Sequence, residues 1–245
     1  MATYVMSDLH GYMEIYKKVK ASLNPEDTVY FLGDAGDRGP ETWECIKTLI
    51  SDPQFIYIKG NHEDMLVDAA TDYLQGDERW EHRSWSLCAR NGGSRTLDQW
   101  EADPYREEWL SRIRKLPTWD TYDTDDRTYI FTHAGFTPWK NDCEEVELPT
   151  DEDMMWNRDH WLDNPEDTEI DTDVVIIHGH TPIPYVAMDL NMEWEGGALW
   201  YDGSRKACID SGGYFTREWI LLNLDTLEEH IIKLDKENEN ANITE

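Results

Sequence analysis

Residues 27–39 read Asp27-Thr-Val-Tyr-Phe-Leu-Gly33-Asp34-Ala-Gly-Asp37-Arg38-Gly39. The first half is a short run of β-branched and aromatic residues, which reads as a buried strand. It breaks at once into a turn in which glycines alternate with two carboxylates and a guanidinium. Glycines allow the sharp reversal and let the backbone come close to whatever the acids hold. The same grammar recurs along the chain. Residues 2–7 read as a strand that runs into Asp8-Leu-His10-Gly11, and residues 54–59 as one that runs into Gly60-Asn61-His62-Glu63. Residues 127–133 lead into His133-Ala-Gly135, and residues 173–178 into His178-Gly-His180-Thr181.

Between the first three strands lie helical stretches, from about Gly11 to Ala21, from Pro40 to Ile50 and from about Glu63 to Leu74. Asp34 follows Asp8 by 26 residues and Asn61 follows Asp34 by 27. Each interval is close to one βα unit, so parallel neighbours bring their carboxyl ends, and these residues, together. Residues 78–116, charged and rich in Trp and Arg, read as a helical insertion broken at Asn91-Gly-Gly93. The stretch from Tyr185 to Ile232 reads as strand and turn. One domain is expected over residues 1–233, with a polar tail at 234–245.

Composition narrows the function. The chain has 245 residues, with 22 Lys and Arg against 52 Asp and Glu and a formal net charge of −30. That field repels nucleic-acid backbones and anionic lipid surfaces, so neither is expected as a partner. Four widely spaced cysteines, Cys45, Cys88, Cys143 and Cys208, contain no C-x-x-C pair, as expected of reduced, buried thiols in a cytoplasmic protein. No leader sequence or membrane span is read, which makes the Asn242-Ile-Thr244 sequon uninformative. Oligomeric state is left open.

A lone Asp after a strand is ordinarily a turn or cap residue, and a lone His an ordinary polar one. His82, His160 and His230 are read that way. Asp8, His10, Asp34, Asn61, His133 and His180 are different, because all six stand at strand ends in an ordered series. Carboxylate, imidazole and one amide oxygen suit Mn²⁺, Fe or Zn²⁺ rather than Ca²⁺, and lack the thiolates of structural zinc. Six ligands suffice for two ions if a carboxylate bridges them, and Asp34, central in the order, is the candidate. Two ions about 3.5–4 Å apart would ionise a water and neutralise charge on a phosphoryl group.

Ser7-Asp-Leu-His-Gly11, Gly33-Asp-Ala-Gly-Asp-Arg-Gly39, Gly60-Asn-His-Glu63, His133-Ala-Gly135 and Gly179-His-Thr181 resemble the blocks of calcineurin-like metallophosphoesterases. Arg38 after Asp37, with Glu63 after Asn61-His62, is similar to the phosphoprotein phosphatase branch. Asn91-Gly-Gly93 and Trp156-Asn-Arg158-Asp159 resemble blocks of its bacterial group, which includes diadenosine tetraphosphatases. The resemblance, over roughly residues 3–215, implies an α/β fold, a β-sandwich of mixed sheets flanked by helices with a dinuclear metal site at the strand ends. It implies one ion on Asp8, His10 and Asp34, and another on Asp34, Asn61, His133 and His180. It further implies His62 as proton donor to the leaving oxygen, Asp37 as its orienting carboxylate, and Arg38 and Arg158 as the phosphate grip, with Asn91 beside them. Ser7 stands where the family usually has Gly, and Ala35-Gly36 replaces bulkier residues. The expected effect is slower turnover. His178 remains an alternative neighbour of the site, as a donor behind the ligands.

The leading expectation is a Mn²⁺-type phosphatase that hydrolyses phosphomonoesters by attack of a metal-bridging hydroxide. Ser/Thr phosphoproteins come first among substrates, ahead of other small phosphoesters. A dinucleoside polyphosphate hydrolase is the second reading and a non-catalytic scaffold the third. The acidic residues Glu144, Glu145, Glu147, Asp151, Glu152 and Asp153 are expected to border the cleft and favour peptides with basic flanks.

Overall fold

A computed structural model describes residues 1–76, 83–140, 145–162, 171, 173–203 and 205–235. His82, Cys143, Glu144, the sequon, residues 78–82 of the expected insertion and residues 236–245 of the expected tail lie outside them. In chain order the elements are β1 (Thr3–Met6), α1 (Met13–Ser22), β2 (Thr28–Phe31), α2 (Thr42–Ser51), β3 (Phe55–Tyr57) and α3 (Asn61–Leu74). Next come α4 (Arg83–Cys88), a π-helical turn (Ala89–Gly93), α5 (Ser94–Ala102), α6 (Arg106–Ile113), β4 (Trp119–Asp123) and β5 (Thr128–Thr132). The chain continues through β6 (Trp139–Lys140), β7 (Val146–Glu147), α7 (Asp151–Trp156), a 3-10 turn (His160–Leu162), β8 (Val174–His178) and α8 (Ile183–Asp189). It closes with β9 (Leu199–Tyr201), β10 (Lys206–Cys208), α9 (Gly213–Thr216), β11 (Glu218–Asn223) and β12 (Glu229–Lys233).

Two five-stranded mixed sheets result, ordered β12-β11-β1-β2-β3 and β4-β5-β8-β10-β9. β1, β2 and β3 are parallel, as are β5, β8 and β10, while β11 pairs antiparallel with β1 and β12, and β4 and β9 run antiparallel at the edges of the second sheet. The period of two along each strand decides which core a side chain joins. Val5, Tyr30, Leu32, Ile220 and Leu222 pack against Phe131, Val175, Ile177 and Ala207 between the sheets. Their neighbours Met6, Val29, Phe31, Tyr57, Trp219 and Leu221 face the other way, against α1, α2, α3, α5 and α6. The result is a sandwich with helices on the outer face of the first sheet.

Two local readings are corrected. The stretch taken as strand and turn from Tyr185 begins inside a helix, α8. Ile183, Val186 and Ala187 fall at helical spacing and are buried, but Pro182 and Pro184 beside them mask the pattern; proline is tolerated in a first turn, where its missing N–H costs nothing. Likewise α2 starts at Thr42, and Pro40 belongs to the turn before it. Cys45, Cys88 and Cys208 are free and buried. No helix among the described residues is long and apolar enough to cross a membrane.

Phe131 is fully buried between the sheets. Phe131→Ala should lower the unfolding free energy by about 3–5 kcal/mol, measured by urea titration. A loss under about 1 kcal/mol would show that the sandwich core repacks around the gap.

Candidate metal centre

The parallel registers bring the strand ends level: Met6 pairs with Phe31, and Phe31 with Tyr57. The pairing continues past the strands as a ladder between loops. Asp8 N donates to Gly33 O (3.1 Å), His10 N to Asp34 O (2.9 Å) and Gly11 N to Ala35 O (2.7 Å). Within the second sheet Gly179 N likewise donates to His133 O (2.8 Å), and across the sandwich His133 Nδ1 donates to Leu32 O (2.6 Å). Thus five loops converge, and Asp8, His10, Asp34, Asn61, His133 and His180 all become buried.

Asp34 sits in the middle. Its Oδ2 lies 3.9 Å from His10 Nε2 and 3.7 Å from His62 Nε2; its Oδ1 lies 3.4 Å from His133 Nε2. Asn61 Oδ1, His133 Nε2 and His180 Nδ1 form a triangle with edges of 3.0, 3.0 and 3.1 Å. Asp8 Oδ1, 3.8 Å from His10 Nε2, is buried without a hydrogen-bond partner, and so is His180 Nε2. Two groups, His10 with Asp34 and His62, and Asp34 with His133 and His180, each offer ligand atoms within 4.8 Å of one another. Hard oxygens and imidazole nitrogens so close, one of them an orphaned carboxylate oxygen, fit two divalent cations sharing Asp34.

The ring orientations agree. His10 Nδ1 donates to Gly36 O (3.0 Å) and His133 Nδ1 to Leu32 O, which turns both Nε2 atoms inward. His178 turns away: its Nδ1 donates to Gly179 O (3.1 Å) and its Nε2 meets Tyr201 Oη (2.6 Å). Of the two alternatives, His180 joins the cluster. His160, read as an ordinary histidine, is fully buried behind it, with Nδ1 at Thr137 Oγ1 (3.1 Å).

Close approach explains the glycines. A Cβ on Gly60 would collide with Asp34 Oδ1, and one on Gly179 with Asp8 Oδ2 and Ser7 Oγ. Glu63 then locks the arrangement. Its Oε2 accepts from Asp34 N (2.9 Å) and Gly60 N (3.0 Å), and its Oε1 from Ala35 N (3.0 Å). The sequence marks Glu63 by its block but not by this task. Gly36 has its carbonyl held by His10 Nδ1, and the next peptide N–H is held by Thr96 Oγ1.

His62 Nδ1 meets Asp37 Oδ2 at 2.5 Å. Burial lowers the His62 pKa and Arg38 opposes its charge as well, but Asp34 and Asp37 outweigh both and raise it. The exposed Arg38 rests Nη1 against His10 Nε2 (2.5 Å) and Nη2 against His62 Nε2 (3.0 Å), beneath the Tyr214 ring at 4.4 Å. Arg38 can only donate, so both nitrogens accept here. A cation on His10 Nε2 and this guanidinium exclude each other. Arg158 lies at the rim, Nη1 3.5 Å from Thr181 Oγ1, and among the described residues forms no ion pair with Asp159. Asn91 is exposed and donates Nδ2 to Leu87 O (2.9 Å). Its neighbours Gly92 and Thr96, not Asn91 itself, touch the Asp37–Arg38 turn. No sequence signal singled out Thr96, Tyr214 or Trp219, whose indole N–H donates to Asp8 O (3.0 Å).

A family model described as calcineurin-like phosphoesterase matches residues 1–223. Serine/threonine-protein phosphatase 2 of Salmonella typhimurium is 28% identical over 164 residues, which is 65% of this chain and 69% of that one. The symmetrical bis(5'-nucleosyl)-tetraphosphatase of Pseudomonas putida is 31% identical over 142 residues, 56% of this chain and 43% of that relative's length. Among solved structures, a serine/threonine phosphatase from Saccharomyces cerevisiae superposes with a TM-score of 0.59 at 12% identity, over 96% of this chain and 81% of that one. A metallophosphoesterase from Sphaerobacter thermophilus does so with a TM-score of 0.55 at 17% identity, over 96% and 88%. At such identities the two structures establish the fold alone.

Cation uptake should release protons. Burial opposes charge on His133, but Asp34 and Asp8 hold its pKa up at about 9, so it is protonated at neutral pH and must lose that proton to use Nε2 as a ligand. Burial and the Asp34 charge raise Asp8 to about 6, adding a second proton to displace at lower pH. Apparent Mn²⁺ affinity should therefore rise with pH up to about 9. Calorimetry in two buffers of different ionisation enthalpy measures the release, and uptake at pH 7 without it would contradict the assignment. Glu63→Ala should weaken Mn²⁺ binding by about 10- to 100-fold, as loss of supporting partners does elsewhere.

Proposed function

This chain belongs to the calcineurin-like phosphoesterase family, and we propose that it is a phosphatase that hydrolyses phosphomonoesters, those of Ser/Thr phosphoproteins first. One observation carries the reading: a buried carboxylate, Asp34, stands between two ligand groups, with the His62–Asp37 pair beside it. Asp8, His10 and Asp34 would hold one ion, and Asp34, Asn61, His133 and His180 the other. Two divalent ions there, Mn²⁺ foremost with Fe or Zn²⁺ as alternatives, would supply Lewis acidity that ionises a water and neutralises charge on the phosphoryl group.

The chain's own residues do the rest. Arg38 would turn its fork of donors to two phosphate oxygens, a geometry lysine cannot imitate. Arg158, exposed at the rim, takes the phosphate from the other side, and Asn91 extends that surface. By distance His62, rather than Asp8, groups with His10 and Asp34 as a possible ligand. Its bond to Asp37 and its raised pKa suit it better to carry a proton to the leaving oxygen. A cysteine nucleophile has no support among the described residues, because burial raises the pKa of Cys45, Cys88 and Cys208 and keeps them thiols.

The named relatives include both protein phosphatases and dinucleoside tetraphosphatases, so hydrolysis of dinucleoside polyphosphates is the second reading. Charge disfavours it. Between His133 and His180 the cationic side chains are Lys140 and Arg158, among many acids. A substrate with several phosphates calls for more positive charge than that. The acidic run has mixed duties: Asp151 accepts from Thr118 Oγ1 (2.6 Å), and Asp153 caps α7 through Thr150. Its exposed members favour peptides with basic flanks.

The purified protein with Mn²⁺ should be given a phosphoserine peptide, diadenosine tetraphosphate and an aryl phosphate side by side. The peptide should turn over fastest, and basic flanks should beat acidic ones; preference for the dinucleotide would establish the second reading. His62→Ala should cut peptide turnover by about 10²–10⁴-fold with metal content by elemental analysis unchanged. Loss of an ion in that variant would make His62 a ligand instead.

A further inference from the structure

Asp37 has two carboxylate oxygens, and only one of them faces His62. The other, Oδ1, accepts a short hydrogen bond from the Thr96 hydroxyl, while Asp37 N donates back to Thr96 Oγ1 (3.2 Å). A hydroxyl can donate and accept at once, and here it does both toward a single residue. Both side chains are buried, Thr96 at 1% exposure and Asp37 at 1%. The backbone of Asp37 is left-handed, at φ 67°, and that of Arg38 is too, at 61°. Side chains on such backbone keep one orientation only where neighbours hold them.

The hold comes from a separate part of the chain. Thr96 stands in the first turn of α5, directly after the π-helical turn at Ala89–Gly93. Within that turn Gly92 O accepts from Arg38 N (3.1 Å). A Cβ on Gly93 would lie 2.5 Å from Cys88 Sγ and 3.1 Å from Asp37 Oδ1. Single π turns often mark functional positions. A helical threonine can bond its own helix, as the half-buried Thr71 does through Val67 O. Thr96 gives its hydroxyl to Asp37 instead.

We propose that Thr96 is a positioning residue for proton transfer: it fixes the rotation of the Asp37 carboxylate, and through it the aim of the His62 ring at the leaving oxygen. The inference rests on the reading of His62 as proton donor. Such a residue matters where the leaving group needs a proton and hardly at all where it does not. The helical segment that carries Thr96 thereby tunes which esters the enzyme cleaves well.

The test compares Thr96→Val, a near-isostere without the hydroxyl, with Thr96→Ser, which keeps it, in the Mn²⁺-loaded full chain. Phenyl phosphate has a poor leaving group and 2,4-dinitrophenyl phosphate a good one. Thr96→Val should lower kcat on phenyl phosphate by about 10- to 100-fold, the size of effect a misplaced group produces, and change the dinitrophenyl rate by less than about twofold. Thr96→Ser should restore the first rate to within about threefold, inside the margin general acid catalysis leaves. Equal losses on both substrates, or none on either, would overturn the proposal. A second readout needs no turnover. The His62 Nδ1 proton, observed by NMR, should be downfield and slow to exchange in the wild type and in Thr96→Ser, and should move upfield or vanish in Thr96→Val. An unchanged signal in Thr96→Val with its melting temperature preserved would likewise sink the idea. A wild type inert on every phosphoester but showing the proton shift would sink the phosphatase reading and leave the positioning contact intact.

Discussion

Asp8, Asp34, Asp37, Glu63 and Asp210 lie in one buried region, none more than 3% exposed. Negative charge gathered in a low-dielectric interior is costly, several kcal/mol for each unpaired ion, and much of the local structure answers that cost. Glu63 is met by three peptide N–H groups, Asp37 by a hydroxyl and an imidazole, and Asp34 by His62 N and three rings. Burial and their acidic neighbours raise the pKa of Asp8 and Asp210. The compensation is incomplete at Asp8 Oδ1, which faces His10 across 3.8 Å with no donor. A region that satisfies most of its carboxylates and leaves this one open is suited to cations.

Backbone strain follows from the same demand. Asp8, His10, Asp34, Asp37, Arg38 and His180 all have φ between 46° and 67°. Each such residue costs about 1–3 kcal/mol unless its surroundings over-determine it. Here they do. Parallel strands in register fix where each loop begins, the loop ladder fixes its path, and Glu63 ties two of the loops to one carboxylate. Gly60 and Gly179 are required because the neighbouring acid occupies the space a Cβ would need.

The global and local fields oppose each other. A chain of net charge −30 repels phosphate at a distance, so the anion must be gripped at short range by few cations. Arg38 is one cation that lies beside the cluster. Its guanidinium lies on the Tyr214 ring with its fork pointing at His10 and His62. An ion held by His10 would compete with the Arg38 guanidinium for the same nitrogen, so filling the metal centre would free the arginine.

Much of this was legible in the residues alone. Strand, glycine turn and ligand repeat at βα intervals, and a periodicity of two or 3.6 is local chemistry that needs no partner to be read. So the parallel order, the sandwich of mixed sheets and the six residues at strand ends follow from the sequence and the resemblance it carries. α8 escaped because two prolines hide its spacing, and β4 because an acidic edge strand has little apolar pattern to show. Tertiary structure alone decided the rest. It chose His180 over His178, since their neighbouring backbone turns point one ring into the cluster and the other at Tyr201. It assigned Glu63 to three peptide groups and Thr96 to Asp37, contacts made across 29 and 59 residues of chain. A sequence records which groups can bond, but contacts between distant loops depend on where the sheets and helices bring those loops to rest.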